Sequence, residues 1–96
     1  MIVFLTKRAE KNFQTINNYI SKEWGLKVAE AFEQKIIDFL ELLKEFPKLG
    51  SIEVPDKLIF GFQLTKHTKV FYRIKKNRII ILSFFDVRQD PKKKPK

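Results

Sequence analysis

The chain has 96 residues, of which 44% are hydrophobic and ten are phenylalanine, so it can form one compact domain but not two. It has no cysteine and a single histidine, which excludes disulfide bonds and disfavours a zinc site, and we expect neither a metal nor a cofactor. The net charge of +9 lies entirely after residue 47, where thirteen bases accompany four acids. No apolar run is long enough to cross a membrane and the first residues do not resemble a signal peptide, so we expect a cytoplasmic protein without membrane contact.

A short strand and a pair of helices are predicted for the first half of the chain. Residues 2–5 are apolar, and the hydroxyl of Thr6 can cap a helix that starts directly after it. Apolar residues then recur every three or four positions up to Trp24, which we expect in the core, and Gly25 ends this helix. The same spacing predicts a second helix from about residue 26 to residue 46, so the two helices should form an antiparallel hairpin.

Three strands are predicted for the second half, at residues 58–64, 69–75 and 79–85. The turn before the last of them has Asn77 where a positive φ is needed. The last strand is apolar at nearly every position, so we expect it to be buried on both faces and central in the sheet. The sequence therefore predicts an α+β fold with a short N-terminal strand, an antiparallel helix hairpin and a three-stranded antiparallel meander, in the order β-α-α-β-β-β.

One face of this sheet has no predicted cover, because two helices can cover only the other face. A large exposed apolar patch on a small domain usually marks an interface, although Phe60, Phe62 and Phe71 can instead form a second small core there. The one-sided positive charge attracts nucleic acid, an acidic protein surface or an acidic inhibitor. Excess lysine also keeps a small domain soluble, so charge alone does not choose among these partners.

Five local sequences carry a family resemblance: INNYISKEWG, AEAFEQKI, FPKLG, TKHTKVFYRI and IIILSFFDVRQDPKK. In this order, between about residue 2 and residue 93, they resemble the RelE/ParE superfamily of type II toxin–antitoxin toxins, and its ParE-like branch most closely. We expect a single toxin domain of this type over residues 1–91. The basic residues 92–96 are expected to form an unfolded tail.

The resemblance implies a small basic toxin that a cognate acidic antitoxin neutralises, as a homodimer of the toxin or as a heterotetramer with the antitoxin. A partly unfolded antitoxin segment would place apolar residues in grooves and acids against bases. Arg88 matches the arginine that family members carry at the end of the last strand. The expected target-binding or antitoxin-binding residues are Lys66, Lys69, Phe71, Arg73, Arg78, Phe85, Asp86, Arg88, Gln89, Lys92 and Lys93.

RelE-like members are similar to endonucleases that cleave messenger RNA on the ribosome. Such cleavage needs a proton acceptor, a proton donor and cations for the charge that develops on the phosphate. His67 and Tyr72 are the candidate proton carriers, and Lys66, Lys69, Arg73 and Arg88 are the candidate cations. Against this activity, the chain lacks a histidine or tyrosine after Arg88 and has no base in LIFGFQL, where many members have an arginine. Asp86 would also repel a phosphate near Arg88 unless it only holds the arginine.

ParE-like members instead resemble inhibitors of DNA gyrase, which trap that enzyme with cleaved DNA and need no catalytic residue. We therefore predict a gyrase-directed toxin, with ribosome-dependent messenger RNA cleavage as one alternative and a nontoxic or decayed binding module as another. Several candidates also have a purely structural interpretation. His67 is then a solvated turn residue, Tyr72 a core tyrosine, and Arg88 part of a surface ion-pair cluster with Asp86 and Asp90.

Overall fold

The structure is a computed structural model, and it describes residues 1–88 of the chain. The predicted binding residues Gln89, Lys92 and Lys93, together with the predicted tail at 92–96, lie outside the described residues. None of the helices that the structure describes is both long and apolar enough to cross a membrane.

The first half folds as a strand and a helix hairpin, with β1 at Ile2–Leu5, α1 at Lys7–Trp24 and α2 at Leu26–Glu45. The predicted cap is present, because the Thr6 hydroxyl accepts a hydrogen bond from the amide of Ala9 at 3.0 Å. Gly25 alone separates the two helices, and its φ of 93° lies in a region that residues with a Cβ rarely adopt. This single residue therefore sets the sharp reversal between α1 and α2.

The second half adds four strands, which are β2 at Ser51–Val54, β3 at Ile59–Gln63, β4 at Thr68–Lys75 and β5 at Arg78–Asp86. Within residues 1–88 they join β1 in one sheet of strand order β1-β5-β4-β3-β2. The β1–β5 pair is parallel and the other pairs are antiparallel. The predicted α+β fold is confirmed, and β2 is an additional strand that precedes the predicted meander.

Three details of the meander differ from the prediction. The central strand is β4, because β1 and β2 add one strand to each side of the β5–β4–β3 meander. The positive φ of the β4–β5 turn, 56°, is at Lys76 and not at Asn77. Strand β5 is interior but is buried on its helix side only, since its other side has no covering layer and Phe85 there is 45% exposed.

A bulge in β5 reverses which residues face the helices. Phe71 pairs with Ser83 while Tyr72 pairs with Ile81, so Leu82 is an extra residue in β5. Because of this insertion, Ile81 and Phe84 both point to the helix side, three positions apart. The first helix region satisfies the backbone groups at the bulge: the Thr6 hydroxyl donates to the Leu82 carbonyl at 3.0 Å, and the Phe84 amide donates to Asn12 Oδ1 at 3.1 Å.

The core lies between the helix hairpin and one face of the sheet. Phe39 stacks on Phe62 with ring centroids 4.7 Å apart, and Phe60 stacks on Tyr72 at 5.3 Å. Phe60 and Phe62 therefore face the helices, and the alternative of a second small core on the opposite face is wrong. The buried apolar residues are Ala9, Ile16, Ile20, Ala29, Phe32, Ile36, Phe39, Leu43, Phe60, Val70, Tyr72, Ile79, Ile81 and Phe84.

Candidate functional site

Asp86 and Arg88 form a closely bonded pair at the end of β5. Asp86 Oδ2 accepts from Arg88 Nη2 at 2.8 Å, and Asp86 Oδ1 accepts from Arg88 Nε at 3.1 Å. The same Oδ1 also accepts from the Arg88 backbone amide at 2.9 Å. Two parallel bonds from one guanidinium to one carboxylate fix both the position and the plane of the arginine. Asp86 thus holds Arg88 in a single orientation.

The carboxyl of Asp86 is buried, with a side-chain exposure of 0%, so this is not the surface ion pair that the sequence suggested. Thr68, also buried, donates its hydroxyl to Asp86 Oδ2 at 2.6 Å. Burial opposes ionisation of the carboxyl, but the hydrogen bonds from Arg88 and Thr68 outweigh it and keep the pKa of Asp86 below its ordinary value. The carboxylate therefore stays charged at neutral pH and retains Arg88.

Trp24 lies against the other side of the arginine. The Arg88 guanidinium carbon is 5.3 Å from the centre of the Trp24 ring, which in turn meets Tyr19 edge-on with centroids 5.8 Å apart. Trp24 is 50% exposed, so its predicted place in the core is wrong. It lies in the last turn of α1, where its ring contacts Tyr19 and Arg88.

A groove opens beside Arg88 between the helix hairpin and the β3–β4 turn, and we call it the Arg88 groove. It encloses about 240 Å³. Aliphatic and aromatic side chains from the helices form its floor, while three cations and the imidazole lie among its lining residues. These residues are Ile20, Val28, Ala31, Phe32, Lys35, Thr65, Lys66, His67 and Arg88. An apolar floor with basic side chains matches an amphipathic partner that carries carboxylates.

The sheet face turned away from the helices, the open face, carries the other predicted binding residues. Strand register places on it Phe4, Lys69, Phe71, Arg73, Lys75, Arg78, Ile80 and Phe85. Two cations lie on aromatic rings: Lys69 Nζ is 5.1 Å from the Phe71 ring centre, and the Arg78 guanidinium carbon is 5.8 Å from that of Phe4. Charge and aromatic surface thus alternate across this face.

Gly61 of β3 stands near the place where the resemblance implies an arginine. A Cβ at Gly61 would lie 2.8 Å from Glu53 Oε2 and 2.8 Å from Lys69 Cε. These two side chains form a salt bridge of 3.1 Å directly over the glycine. The space above Gly61 is therefore occupied by a lysine from β4 that is paired with a glutamate of β2.

Tyr72 is sealed in the core, as the alternation of β4 indicated. Its side chain is 0% exposed, and its hydroxyl accepts from the amide of Gly50 at 2.8 Å. Burial raises the pKa of Tyr72, and the bond from Gly50 offsets only part of this effect. A substrate at the surface has no access to this hydroxyl.

The six residues proposed for RNA cleavage lie in three different places. Tyr72 is in the core, Lys69 and Arg73 are on the open face, and Lys66, His67 and Arg88 line the Arg88 groove together. His67 sits in the β3–β4 turn, where its carbonyl accepts from the Val87 amide at 3.0 Å. Within residues 1–88, no three His, Cys, Asp or Glu side chains are grouped closely enough to hold a metal ion.

Sequence reasoning missed three residues that shape these surfaces. Trp24 and Thr68 support the Asp86–Arg88 pair, and Glu53 holds Lys69 over Gly61. Thr68 pairs with Asp86 across β4 and β5, so a correct strand alignment would have found it. Glu53 lies in the unpredicted strand β2, and Trp24 has an apolar spacing that suggests burial, so neither carried a recognisable signal.

Comparison with known proteins identifies the family. A sequence model described as the ParE toxin of the type II toxin-antitoxin system, parDE, matches residues 3–91. No curated protein sequence matches the chain.

Solved structures share the fold. The chromosomal ParDE toxin–antitoxin system from P. aeruginosa superposes with a TM-score of 0.75 at 21% identity, over 90% of this chain and 95% of that chain. A YoeB/ParE toxin from Agrobacterium tumefaciens gives 0.64 at 13% identity, over 90% and 98% of the two chains. The YoeB–YefM complex from Staphylococcus aureus gives 0.60 at 13% identity, over 88% and 94%. Since the family model covers nearly all of the described residues, this chain belongs to the ParE toxin family of type II toxin–antitoxin systems.

Proposed function

We propose that this toxin acts by binding DNA gyrase and trapping it with cleaved DNA, and that it does not cleave RNA. The observation that carries the proposal is the division of the six nuclease candidates among the core, the open face and the Arg88 groove. Catalysis of RNA cleavage needs proton carriers and cations within hydrogen-bond reach of one phosphate. Here the tyrosine is sealed in the core, and the arginines lie on two different surfaces.

A binding inhibitor makes smaller demands on geometry. It needs a rigid surface with charge complementary to its target, and a net charge of +9 suits a target that holds DNA. The Asp86–Arg88 pair fits such a role, because the carboxylate holds a planar cation in place. Both carboxylate oxygens accept hydrogen bonds from Arg88, so neither is left free to act as a proton acceptor for a substrate. Membership in the ParE family agrees with gyrase as the target.

An acidic antitoxin segment is the partner proposed for the Arg88 groove. Apolar side chains of the segment would pack on Ile20, Val28 and Phe32, and its carboxylates would meet the surrounding cations. A solved structure from S. aureus is described as a heterotetrameric complex of the YoeB-YefM toxin-antitoxin, which supports the same kind of partner here. The complex is expected to bring the basic toxin closer to neutrality.

The target is tested by inducing the chain without antitoxin in growing bacteria and labelling DNA and protein synthesis separately. We expect DNA synthesis to stop first. When purified toxin is mixed with gyrase and supercoiled plasmid, we also expect plasmid DNA that is cleaved and covalently bound to gyrase. Arrest of protein synthesis first, with messenger RNA cut on the ribosome, would overturn the proposal and restore the nuclease alternative. Arrest of neither would indicate the nontoxic binding module.

Variants of the Asp86–Arg88 site link the activity to the structure. Arg88→Lys keeps the positive charge but loses the paired bonds and the flat contact with Trp24, so cleaved-complex formation should fall at least tenfold. Lys44→Arg on the exposed side of α2 is the matched control and should leave activity unchanged. If Arg88→Lys retains full activity with gyrase, this arginine is not part of the gyrase contact.

A further inference from the structure

We propose that the open face binds single-stranded DNA, with its phenyl rings stacking on bases and its cations contacting phosphates. The choice of DNA rests on the proposed function, since a gyrase-bound toxin works beside cleaved DNA. The binding itself needs no gyrase, so the two proposals fail separately. Three features of the open face carry the inference: an aromatic cavity, a cationic cavity and an arginine between them.

The aromatic cavity lies along the second half of β5. It encloses about 530 Å³, which is within the range of ~300–1,000 Å³ typical of ligand pockets. Its lining residues are Arg8 and Asn12 of α1 together with Phe71, Ser83, Phe84 and Phe85, so it reaches from the open face to the first helix. Phe85 is 45% exposed and is available to a flat partner, whereas Phe71 is half-buried and has Lys69 Nζ over its ring at 5.1 Å. Residues at diagonal positions on neighbouring strands, as Phe71 and Phe85 are, lie about 7–8 Å apart, so a base stacked on Phe85 would have Phe71 and Lys69 beside it.

The cationic cavity lies at the other end of the face, around the β4–β5 turn. It encloses about 230 Å³ and is lined by Lys75, Lys76, Arg78 and Ile80. Three of its four lining residues are bases, and none is an acid. Arg78 also lies over the exposed ring of Phe4, which gives this end its own aromatic surface. Phosphates passing this point would meet three positive charges.

Arg73 stands between the two cavities, on the central strand. Register pairs it with Ile80 of β5 and Ile59 of β3, both of which belong to the open face. Its Nε is buried, and among residues 1–88 no group accepts its hydrogen. That Nε is shielded from solvent, so a phosphate would be contacted by the rest of the guanidinium, because Arg73 is only partly buried. Cations therefore line the open face from one cavity to the other.

The pairing of exposed rings with cations distinguishes a single strand from other polyanions. A duplex keeps its bases stacked on each other and presents phosphates outward, so the exposed rings of Phe4 and Phe85 would have nothing to stack on. An acidic peptide has the apolar floor of the Arg88 groove available to it. Single-stranded DNA is the ligand that uses both the rings and the charges of the open face.

The test is fluorescence anisotropy of a labelled oligothymidylate of about 12 nucleotides, a length within the site sizes of single-strand binders, with the full chain. Binding should weaken with salt at a slope of about −3 in log–log units, as expected for four phosphate contacts, from Arg73 and the three bases of the cationic cavity, at ~0.7 each. Arg73→Gln should reduce that slope by about 0.7. Lys27→Gln, on α2 and away from the sheet, is its matched control and should have a smaller effect on the slope.

The aromatic part is tested separately with the double variant Phe71→Leu, Phe85→Leu, which keeps apolar side chains but removes the rings. Stacking of ~1–3 kcal/mol per base predicts an affinity at least fivefold lower. Phe46→Leu, also an exposed phenylalanine but at the end of α2, should leave affinity unchanged. Thermal melts of each variant show that the fold is retained.

Four results would overturn the proposal. Equal or tighter binding of a duplex of the same length would exclude stacking on the rings. Tighter binding of oligouridylate than of oligothymidylate would assign the face to RNA. Unchanged affinity of the folded double variant would exclude the aromatic contacts, and equal effects of Arg73→Gln and Lys27→Gln would reduce the interaction to unspecific charge.

Discussion

Substituting Asp86 by Asn tests whether the buried carboxylate holds the end of β5 in place. The carboxylate accepts four hydrogen bonds, three from Arg88 and one from Thr68. Asn keeps the size of the side chain and one acceptor oxygen, but it removes the charge and turns the second oxygen into a donor that faces Arg88 Nη2. Breaking a buried ion pair by removing one partner costs about 3–5 kcal/mol.

The expected loss for Asp86→Asn is smaller than that range. The Arg88 side chain is 24% exposed, so water can satisfy part of the guanidinium once its partner is gone. The remaining acceptor of Asn retains contacts to the Arg88 amide and Nε. We therefore expect a loss of about 2–3 kcal/mol in the free energy of unfolding, which for a domain of this size lowers Tm by roughly 10–20 °C.

Urea denaturation followed by circular dichroism measures this loss, with the slope of the unfolding free energy against urea unchanged. Glu41→Gln is the matched control, because it removes the same charge from the exposed Glu41–Lys44 pair and should cost less than about 0.5 kcal/mol. An Asp86→Asn protein as stable as the Glu41→Gln protein would refute the argument that Asp86 stabilises this end of the sheet.

The pH dependence follows from the lowered pKa of Asp86. Its contribution to stability is present above the ordinary carboxyl pKa of about 4 and is lost as pH falls through the lower folded value, so Asp86→Asn should flatten acid unfolding below about pH 4. The raised pKa of Tyr72 acts at high pH, where the free energy of unfolding should fall as pH rises above about 10. Tyr72→Phe should remove this loss. At neutral pH the same variant should lower the free energy of unfolding by about 1–3 kcal/mol, because it leaves the Gly50 amide unpaired. Gly50→Ala should lower the free energy of unfolding by about 1–3 kcal/mol, because the added Cβ would lie 2.6 Å from the Gly61 carbonyl oxygen. Gly61→Ala should lower it less, because the added Cβ meets only the movable ends of two side chains. Equal midpoints of chemical denaturation for the two variants would contradict this expectation.

The helices and the meander were predictable because their signals are local. Periodic apolar residues marked α1 and α2, Thr6 marked the start of the first helix, and alternation marked β4. Strand β2 was missed because it has four residues, all of them exposed, and therefore shows no alternation of burial. The central position of β4 was missed because it depends on pairings at both edges of the sheet, which are distant in sequence.

The residues of the candidate site were predictable from the sequence, but the side of the sheet on which each side chain lies was not. Asp86 and Arg88 are near neighbours in sequence, so their contact was expected. Regular alternation from Ile79 and Ile81 would place Phe85 in the core and Asp86 on the open face. The inserted Leu82 reverses this phase, so Asp86 is buried and Phe85 is exposed. The apolar sequence of β5 does not indicate which residue is inserted.

The parallel pairing of β1 with β5 also determines when a newly made chain can complete its sheet. Residues 2–5 are synthesised first, but their partners, residues 78–81, follow only after about 4–16 s of translation at ~5–20 residues per second. Until then β1 has no strand to pair with, and the helix face that β5 covers has no partner. The segment that separates β1 from β5 in sequence is nearly as long as the described chain. On every ribosome there is therefore an interval in which the nascent chain cannot yet form the complete sheet or cover the helix face that packs on β5.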